Sequence, residues 1–170
     1  MKIQNKFKAE LTERMKKDSG YMITAYPRLY NKVITELAKP FRKEKFDKIM
    51  SPEMKGMLFG PTVAYNLKKP FVCIIKQGRV PESFVVGKRF KDYSKKYKTL
   101  QIAKPTIKKN EKILIIDDFF ESGESGKAII SLIEKLNGKV VGISIIYNKL
   151  KKEDEEFFKK YNFHYLLKVK

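Results

Sequence analysis

Three consecutive segments between residues 112 and 147 constrain the fold most strongly. Lys112–Ile116 and Val140–Tyr147 are apolar runs, as in strands that are covered on both faces of a parallel sheet. Between them, Lys127–Leu136 repeats apolar residues at helical spacing, and Gly138 follows as a C-terminal stop. A strand, a helix and a strand in this order predict a right-handed βαβ unit. The predicted fold class is therefore α/β, with an open, mainly parallel sheet flanked by helices.

Further strands and helices extend this unit on both sides. A strand is predicted at Phe46–Met50, then a loop to Gly56 and a helix over Met57–Leu67 with Pro61 in its first turn. Pro70–Ile75 is another apolar run that is typical of a strand covered on both faces. The remaining elements are a helix in Pro27–Pro40, a polar helix from Glu153–Glu156 and a last strand over Phe163–Val169.

One long polar segment interrupts the pattern of strands and helices. Residues 77–110 contain two glycines and two prolines and no strong apolar periodicity. An insertion of this kind is commonly a mobile lid or hairpin over a site. Because 170 residues suffice for one hydrophobic core but not for two ordinary ones, we predict a single domain over residues 1–170, with the lid at approximately 77–110.

The charge of the chain is strongly positive, at +19 from 38 Lys and Arg against 19 Asp and Glu. Such a balance fits a nucleic-acid binder, a protein that attracts phosphorylated small molecules, or a lysine-rich composition without a specific partner. From Glu111 to Lys135, however, six acidic residues stand against three lysines. The segment with the clearest motif is thus poorly suited to a phosphate backbone, and nucleic acid is not expected as the main partner.

The remaining composition indicates a cytoplasmic protein. The longest apolar runs are far shorter than the roughly 20 residues that span a bilayer, and the first residues have no apolar signal core. Cys73 is the only cysteine, so neither an internal disulfide nor a cysteine metal cluster is indicated. We expect no membrane association.

The residues after Ile116 carry the most specific chemistry. Asp117 and Asp118 follow a buried strand, at the edge of a parallel sheet where ligands bind. Adjacent carboxylates there can accept hydrogen bonds from two neighbouring sugar hydroxyls, or they can bind a metal. The next residues, 121–125, are Glu-Ser-Gly-Glu-Ser, a turn that leads into a helix N-terminus and can bind a phosphate. Together the two features predict a site for a sugar phosphate.

Two separate stretches resemble one known family. Ile113–Gly126 resembles the 5-phosphoribosyl pyrophosphate (PRPP) signature of type I phosphoribosyltransferases. Glu53–Ala64 and Pro70–Pro81 resemble the adenine phosphoribosyltransferase pattern, through Met54-Lys-Gly56, Phe59-Gly-Pro and Lys76-Gln-Gly-Arg-Val-Pro. The resemblance covers roughly residues 27–170, and it extends to a lesser degree to xanthine phosphoribosyltransferase. It implies the type I fold, with a flexible lid hairpin and a small hood formed by the chain ends.

The resemblance also implies a role for each matching residue in holding the ribose and its phosphate. Asp117 and Asp118 would bind the ribose hydroxyls of PRPP. The 5′-phosphate would be bound by the loop Glu121, Ser122, Gly123, Glu124 and Ser125.

Other segments would bind the pyrophosphate and act on the base. Pyrophosphate binding is implied for Met54, Lys55, Gly56, Lys76 and Arg79. Asp92 and Lys76 are the implied catalytic residues, with Asp92 transferring a proton at the purine. Tyr93, in the lid, would help to exclude water. No metal ligand is assigned, because Mg²⁺ would be bound mainly through PRPP.

The implied activity is a purine phosphoribosyltransferase of purine salvage, with adenine and PRPP giving AMP and pyrophosphate. Hypoxanthine, guanine or xanthine as the base is the nearest alternative, and a non-catalytic PRPP-binding regulator is another. The family also implies a homodimer.

Three positions and one segment depart from the family pattern. Glu121 and Glu124 stand where small residues are usual, and two carboxylates beside a phosphate are electrostatically unfavourable. Ile75 replaces an arginine that usually precedes Lys76, and Gly20–Tyr26 lacks the segment that adenine enzymes place near the base.

Overall fold

The computed structural model describes residues 2–78, 84–87, 89–91, 95–103 and 106–169. Within these ranges the helices are α1 (Lys2–Asp18), α2 (Pro27–Ala38), α3 (Gly60–Leu67), α4 (Glu124–Lys135) and α5 (Lys152–Lys159). The strands are β1 (Lys48–Pro52), β2 (Phe71–Lys76), β3 (Phe84–Val86), β4 (Phe90–Lys91), β5 (Tyr97–Lys98), β6 (Leu100–Ala103), β7 (Lys112–Phe120), β8 (Lys139–Asn148) and β9 (Phe163–Lys168).

The main sheet has seven strands in the order β3-β6-β2-β1-β7-β8-β9. Strands β2, β1, β7, β8 and β9 run parallel to one another, whereas β6 is antiparallel to β2 and β3. Strands β4 and β5 form a separate two-stranded ribbon. The predicted α/β class with a mainly parallel sheet is confirmed.

The alternation of side chains along β7 explains the two layers of the core. Leu114 and Ile116 pack on one face of the sheet with α1, α2 and α3, whereas Ile113 and Ile115 pack on the other face with α4 and α5. All four side chains are fully buried. A strand with both faces covered must be apolar at every position, which is why this run could be recognised in the sequence.

Several predicted boundaries were wrong by a few residues. Strand β7 continues to Phe120, because β8 keeps pairing with it as far as Asn148. The two carboxylates therefore lie in the last part of the strand rather than after it. Helix α3 begins at Gly60 and α4 begins at Glu124, and a 3₁₀ turn at Lys55–Leu58 precedes α3.

Strand β2 is less buried than its apolar sequence suggested. Ile74 is fully buried, but the other residues of β2 are only partly covered. Its neighbour β6 is short, and only two of its residues pair with β2. Strand β2 is therefore covered on both faces, since Phe71 packs on one core layer and Val72 and Ile74 on the other, but less completely than predicted.

Helix α1 was not predicted from the sequence. Its 17 residues are mostly polar, but Phe7, Leu11 and Met15 recur at intervals of four and pack into the core. Leu11 is fully buried. No helix in the described part of the chain is long and apolar enough to cross a membrane.

The start of α3 offers a test of the packing. A Cβ atom on Gly60 would overlap the Ser51 hydroxyl and lie 2.8 Å from Cε2 of Phe71. We expect Gly60→Ala to lower the free energy of unfolding by about 2 kcal/mol, as overpacking of a dense core does. The melting temperature should fall by about 4–8 °C. Tyr65→Ala on the same helix is the control, because Tyr65 is 83% exposed and its loss should change little. Equal effects of the two changes would contradict this account.

Candidate active site

A cavity of about 170 Å³ opens at the carboxyl ends of β1, β2 and β7. Parallel sheets bind ligands at this edge because loops and helix N-termini converge there. The residues of the described chain that line it are Tyr21, Pro52, Glu53, Met54, Lys55, Lys76, Phe90, Lys98, Leu100, Asp117, Asp118, Phe119, Glu121, Ser122 and Ser125. Segments that are far apart in the sequence, and that were predicted to act together, thus meet in one cavity.

The two carboxylates of β7 lie side by side and are nearly buried. Asp117 is 5% exposed and Asp118 is 7% exposed. The backbone N–H of Asp118 donates a hydrogen bond of 2.8 Å to Oδ1 of Asp117. The side chain of Asp118 forms an ion pair with Lys55, whose amine therefore sits directly in front of the acidic pair.

This arrangement shifts the pKa values of Asp117 and Lys55. Burial raises the pKa of Asp117 well above its ordinary value, and the neighbouring charge of Asp118 raises it further. Burial alone would lower the pKa of Lys55, but the charge of Asp118 and its hydrogen bond hold that pKa above the usual value. The site thus carries a firmly protonated amine, and a carboxyl group that is costly to ionise without a ligand.

Lys55 is held in place from several sides. Its amine donates to the carbonyl oxygen of Ser19 at 3.4 Å. It also lies 5.7 Å from the ring centre of Tyr21 and 5.9 Å from that of Phe119. These contacts fix a positive charge at the mouth of the cavity.

The loop that carries Lys55 approaches the acidic pair closely. The peptide bond between Glu53 and Met54 is cis, and Met54 is 56% exposed. A Cβ atom on Gly56 would lie 3.1 Å from Oδ1 of Asp117 and 2.9 Å from Cδ of Pro52. Glycine at this position therefore lets the backbone lie against the carboxylate, where a larger residue would push the loop away.

The loop from Glu121 to Ser125 forms the turn that its composition predicted. Gly123 has φ of 74°, the left-handed region that favours glycine, and it is the N-cap of α4. A Cβ atom there would also lie 2.8 Å from Cε2 of Phe158. The N-terminal end of α4 is thereby brought to the cavity, with the side chains of Ser122 and Ser125 lining it. The positive end of the helix dipole and two hydroxyl groups suit an anion.

The two unusual glutamates of this loop each pair with a lysine. Glu121 binds Lys149 with an oxygen–nitrogen distance of 2.6 Å, and Glu124 binds Lys127 at 3.0 Å. Lys127 also lies 3.2 Å from Asp154 of α5. The carboxylates that looked unfavourable beside a phosphate thus have positive partners.

A second cavity, of about 190 Å³, adjoins the first and shares Lys55 and Phe119 with it. Its other lining residues in the described chain are Met15, Ser19, Tyr147 and Lys149. The rings of Phe119 and Tyr147 are 5.8 Å apart and tilted by 41°. Two aromatic rings beside the acidic pair offer a surface for a flat heterocycle.

Comparison with known families adds an independent observation. A family model described as a phosphoribosyl transferase domain matches residues 20–166. The chain belongs to the phosphoribosyltransferase family. The resemblance that the two motifs indicated is therefore confirmed over most of the chain.

Several relatives of this chain are adenine phosphoribosyltransferases. An adenine phosphoribosyltransferase from Clostridium botulinum is 36% identical over 119 residues, which are 70% of this chain and 68% of that protein. One from Malacoplasma penetrans is 43% identical over 112 residues, or 66% and 64% of the two chains. A crystal structure of the Saccharomyces cerevisiae enzyme, complexed with an imino-altritol bisphosphate and adenine, matches with a TM-score of 0.71. Its sequence is 27% identical, and the match covers 85% of this chain and 83% of that one.

Three predicted site residues of this phosphoribosyltransferase lie outside the described residues. They are Arg79 for the pyrophosphate, and Asp92 and Tyr93 in the lid. Their roles stay predictions. The described residues of the segment predicted as a lid reach the first cavity, because Phe90, Lys98 and Leu100 line it.

Sequence reasoning missed several residues that line the two cavities. Lys149 could have been noticed, since it follows β8, whose carboxyl end lies beside that of β7. Tyr21 and Met15 gave no signal, because only the folded chain shows that the N-terminal region reaches the site.

Proposed function

We propose that this protein transfers the 5-phosphoribosyl group from PRPP to adenine, giving AMP and pyrophosphate in purine salvage. One observation carries the proposal more than any other. The acidic pair Asp117–Asp118 and the glycine turn at the N-terminus of α4 face one cavity, as a ribose 5-phosphate requires. The names of the relatives support adenine as the base.

The proposed roles follow from the positions of charge around the cavity. The carboxylates of Asp117 and Asp118 accept hydrogen bonds from the two ribose hydroxyls. The backbone N–H groups of residues 121–125, with the hydroxyls of Ser122 and Ser125, bind the 5′-phosphate. Gly123 lets this loop turn, while Glu121 and Glu124 belong to the loop through their backbone and keep their carboxylates on lysines.

The leaving group lies on the other side of the acidic pair in this proposal. Met54, Lys55 and Gly56 offer backbone N–H groups and one fixed ammonium to the pyrophosphate. Lys76, at the end of β2, adds a second positive charge from across the cavity, and Arg79 is proposed to add a third. Asp92 transfers a proton at the purine, and Tyr93 helps to keep water away.

The chemistry is a displacement at the anomeric carbon. As the bond to pyrophosphate breaks, negative charge grows on the leaving oxygens, so fixed cations such as Lys55 stabilise the transition state more than the ground state. Positive charge grows on the sugar at the same time, and closure of the lid keeps water from reacting with it. The high net charge of the chain attracts the polyanionic substrate.

The site also fits Mg²⁺ that arrives with PRPP. Asp117 and Asp118 offer hard oxygen ligands and would hold the ion together with the pyrophosphate. In the described part of the chain, no group of three or more His, Cys, Asp or Glu side chains could hold a metal. The substrate is therefore the main ligand in this proposal. When bound, the ion supplies positive charge to the leaving group.

The second cavity is the proposed place of the base. Phe119 and Tyr147 border it, and Phe119 also borders the cavity of the sugar phosphate. A purine there would lie next to the anomeric carbon. The homodimer that the resemblance implies stays a prediction.

A panel of bases tests the proposed function. The protein is incubated with PRPP, Mg²⁺ and adenine, hypoxanthine, guanine or xanthine, and nucleotide and pyrophosphate are measured. We expect AMP formation with a kcat/KM at least about 100-fold higher than for any other base, because a site that hydrogen-bonds one purine edge leaves groups unpaired with another. Faster turnover of a different base would overturn the choice of adenine. Tight PRPP binding without turnover of any base would instead indicate a regulator.

A further inference from the structure

Lys149 borders the second cavity, but the reaction described above gives it no role. Its backbone N–H donates to the carbonyl oxygen of Phe120 at 2.8 Å, at the point where β7 and β8 stop pairing. This places its side chain next to the first residue of the phosphate loop, Glu121, to which the amine is bound at 2.6 Å. The contact joins residues 28 positions apart and depends on the folded sheet.

The ion pair itself contributes little to the stability of the fold. The side chain of Lys149 is 47% exposed and that of Glu121 is 33% exposed. Pairs that are exposed to this extent contribute little, because water screens them. An effect of the pair is therefore expected on binding rather than on the stability of the fold.

The location of Glu121 indicates an effect on the binding of a phosphate. Its side chain lines the same cavity as Ser122, Ser125 and the acidic pair. A sugar 5′-phosphate carries a charge of nearly −2 at neutral pH, so an unpaired carboxylate in that loop would repel it. The attraction of a helix N-terminus for an anion is modest, and one opposing charge of this kind is enough to offset it.

The geometry points to Lys149 as a positioning residue for phosphate binding. By holding Glu121, it keeps that carboxylate away from the N–H groups of the loop. Lys149 itself does not contact the phosphate. This inference rests on the proposed function, since it assigns Lys149 to the 5′-phosphate of PRPP.

Four variants test the idea: Lys149→Ala, Lys149→Arg, Glu121→Gln and the double variant. The dissociation constant of PRPP is measured by calorimetry, together with kcat and both KM values. We expect Lys149→Ala to weaken PRPP binding about 10- to 30-fold, because it leaves the Glu121 charge unpaired beside the phosphate. The value of kcat should stay within about threefold, since the change leaves in place the cations that are proposed to stabilise the leaving pyrophosphate. Lys149→Arg should bind PRPP within about threefold of the wild type, because arginine keeps the charge.

The double variant separates the holding of Glu121 from a direct effect of the Lys149 charge. Without the carboxylate there is nothing for the lysine to hold, so Lys149→Ala in the Glu121→Gln background should weaken PRPP binding less than about threefold. A loss in that background as large as the loss that Lys149→Ala causes alone would overturn the inference and assign Lys149 a direct effect on the phosphate. A rise in KM for adenine alone would also overturn it, because that result would place Lys149 on the side of the base.

The matched control is Lys159→Ala. Lys159 pairs with Glu156 on α5 at 58% exposure, so its loss removes one charge and one exposed ion pair elsewhere. PRPP binding should change less than about twofold, which excludes a general effect of net charge. The defect of Lys149→Ala should also shrink at about 0.5 M salt, as an electrostatic effect must.

The two proposals fail in different ways. If the wild-type protein does not bind PRPP, the proposed function is wrong. If the wild type binds PRPP and Lys149→Ala binds it equally well, only the role of Lys149 is wrong.

Discussion

Asp117→Asn is expected to remove PRPP binding and, at neutral pH, to make the unliganded protein more stable. The ribose hydroxyls lose a charged acceptor, so affinity should fall by about 10²- to 10³-fold. The fold should gain stability, because burial and the charge of Asp118 make the ionised form of Asp117 costly. Asparagine keeps an oxygen that can accept the hydrogen bond from the Asp118 N–H.

The dependence on pH follows from the direction of the pKa shift. The pKa of Asp117 in the folded protein lies above its ordinary value of 3.8, so the folded state keeps this proton when the unfolded state has lost it. The ionised carboxyl group therefore lowers wild-type stability above the folded-state pKa. That cost disappears as the pH falls through the folded-state pKa towards about 4. The gain from Asp117→Asn should be largest at neutral pH and vanish near pH 4.

Two measurements check this prediction. Calorimetry measures PRPP affinity, and thermal melts between about pH 4 and pH 8 measure stability, where each 1 kcal/mol shifts the melting temperature by roughly 2–4 °C. Asp118→Asn is the matched control. It should also weaken PRPP binding, but it leaves the amine of Lys55 without its carboxylate and so should destabilise the fold. A less stable Asp117→Asn protein, or one that binds PRPP normally, would contradict the assignment.

The centre of the fold could be predicted because its local signals agree with its tertiary environment. Residues 113–116 are apolar without interruption, and the structure buries them on both faces of the sheet. Residues 121–125 were predicted to form a turn before a helix, and Gly123 has the positive φ that this turn needs. At such positions the backbone requirement is local, so the residue type reveals it.

What could not be predicted depends on contacts between distant segments. Strand β7 extends past Ile116 because β8 is long enough to pair with it, and no residue of β7 reveals that length. Helix α1 is polar on most of its surface, and its three buried residues are recognisable as core residues only from their packing beside β9 and the turn at residues 21–25. The pairing of Glu121 with Lys149 is likewise invisible in the sequence, which shows only a carboxylate where a phosphate should bind.

The site was easier to predict than its electrostatics. Asp117, Asp118, Lys55 and Lys76 were each named from motifs, and the structure brings them to one cavity. The motifs did not show that Lys55 pairs with Asp118, since the two residues lie far apart in the sequence. Lys55 thus pairs with a carboxylate in the free protein, and it contacts the pyrophosphate in the proposed complex.

Lys55→Met is expected to reduce kcat/KM by about 10²- to 10³-fold, as loss of a fixed donor to a developing negative charge does. Most of the loss should appear in kcat, because the charge on the leaving oxygens grows in the transition state. Methionine is close to lysine in length, but it removes the charge that lies near the rings of Tyr21 and Phe119. Lys55→Arg should recover part of the activity, since it restores the charge in a different shape.

Lys48→Met is the control for loss of a partly buried ion pair. Lys48 pairs with Glu111 at 3.0 Å, and both side chains are about as buried as those of Lys55 and Asp118. It lies at the amino end of β1, however, whereas Lys55 follows the carboxyl end of the same strand. Lys48→Met should therefore lower the melting temperature and leave kcat and both KM values unchanged. If Lys48→Met lost as much kcat as Lys55→Met, the effect would belong to the fold, and Lys55 would have no special place beside the leaving group.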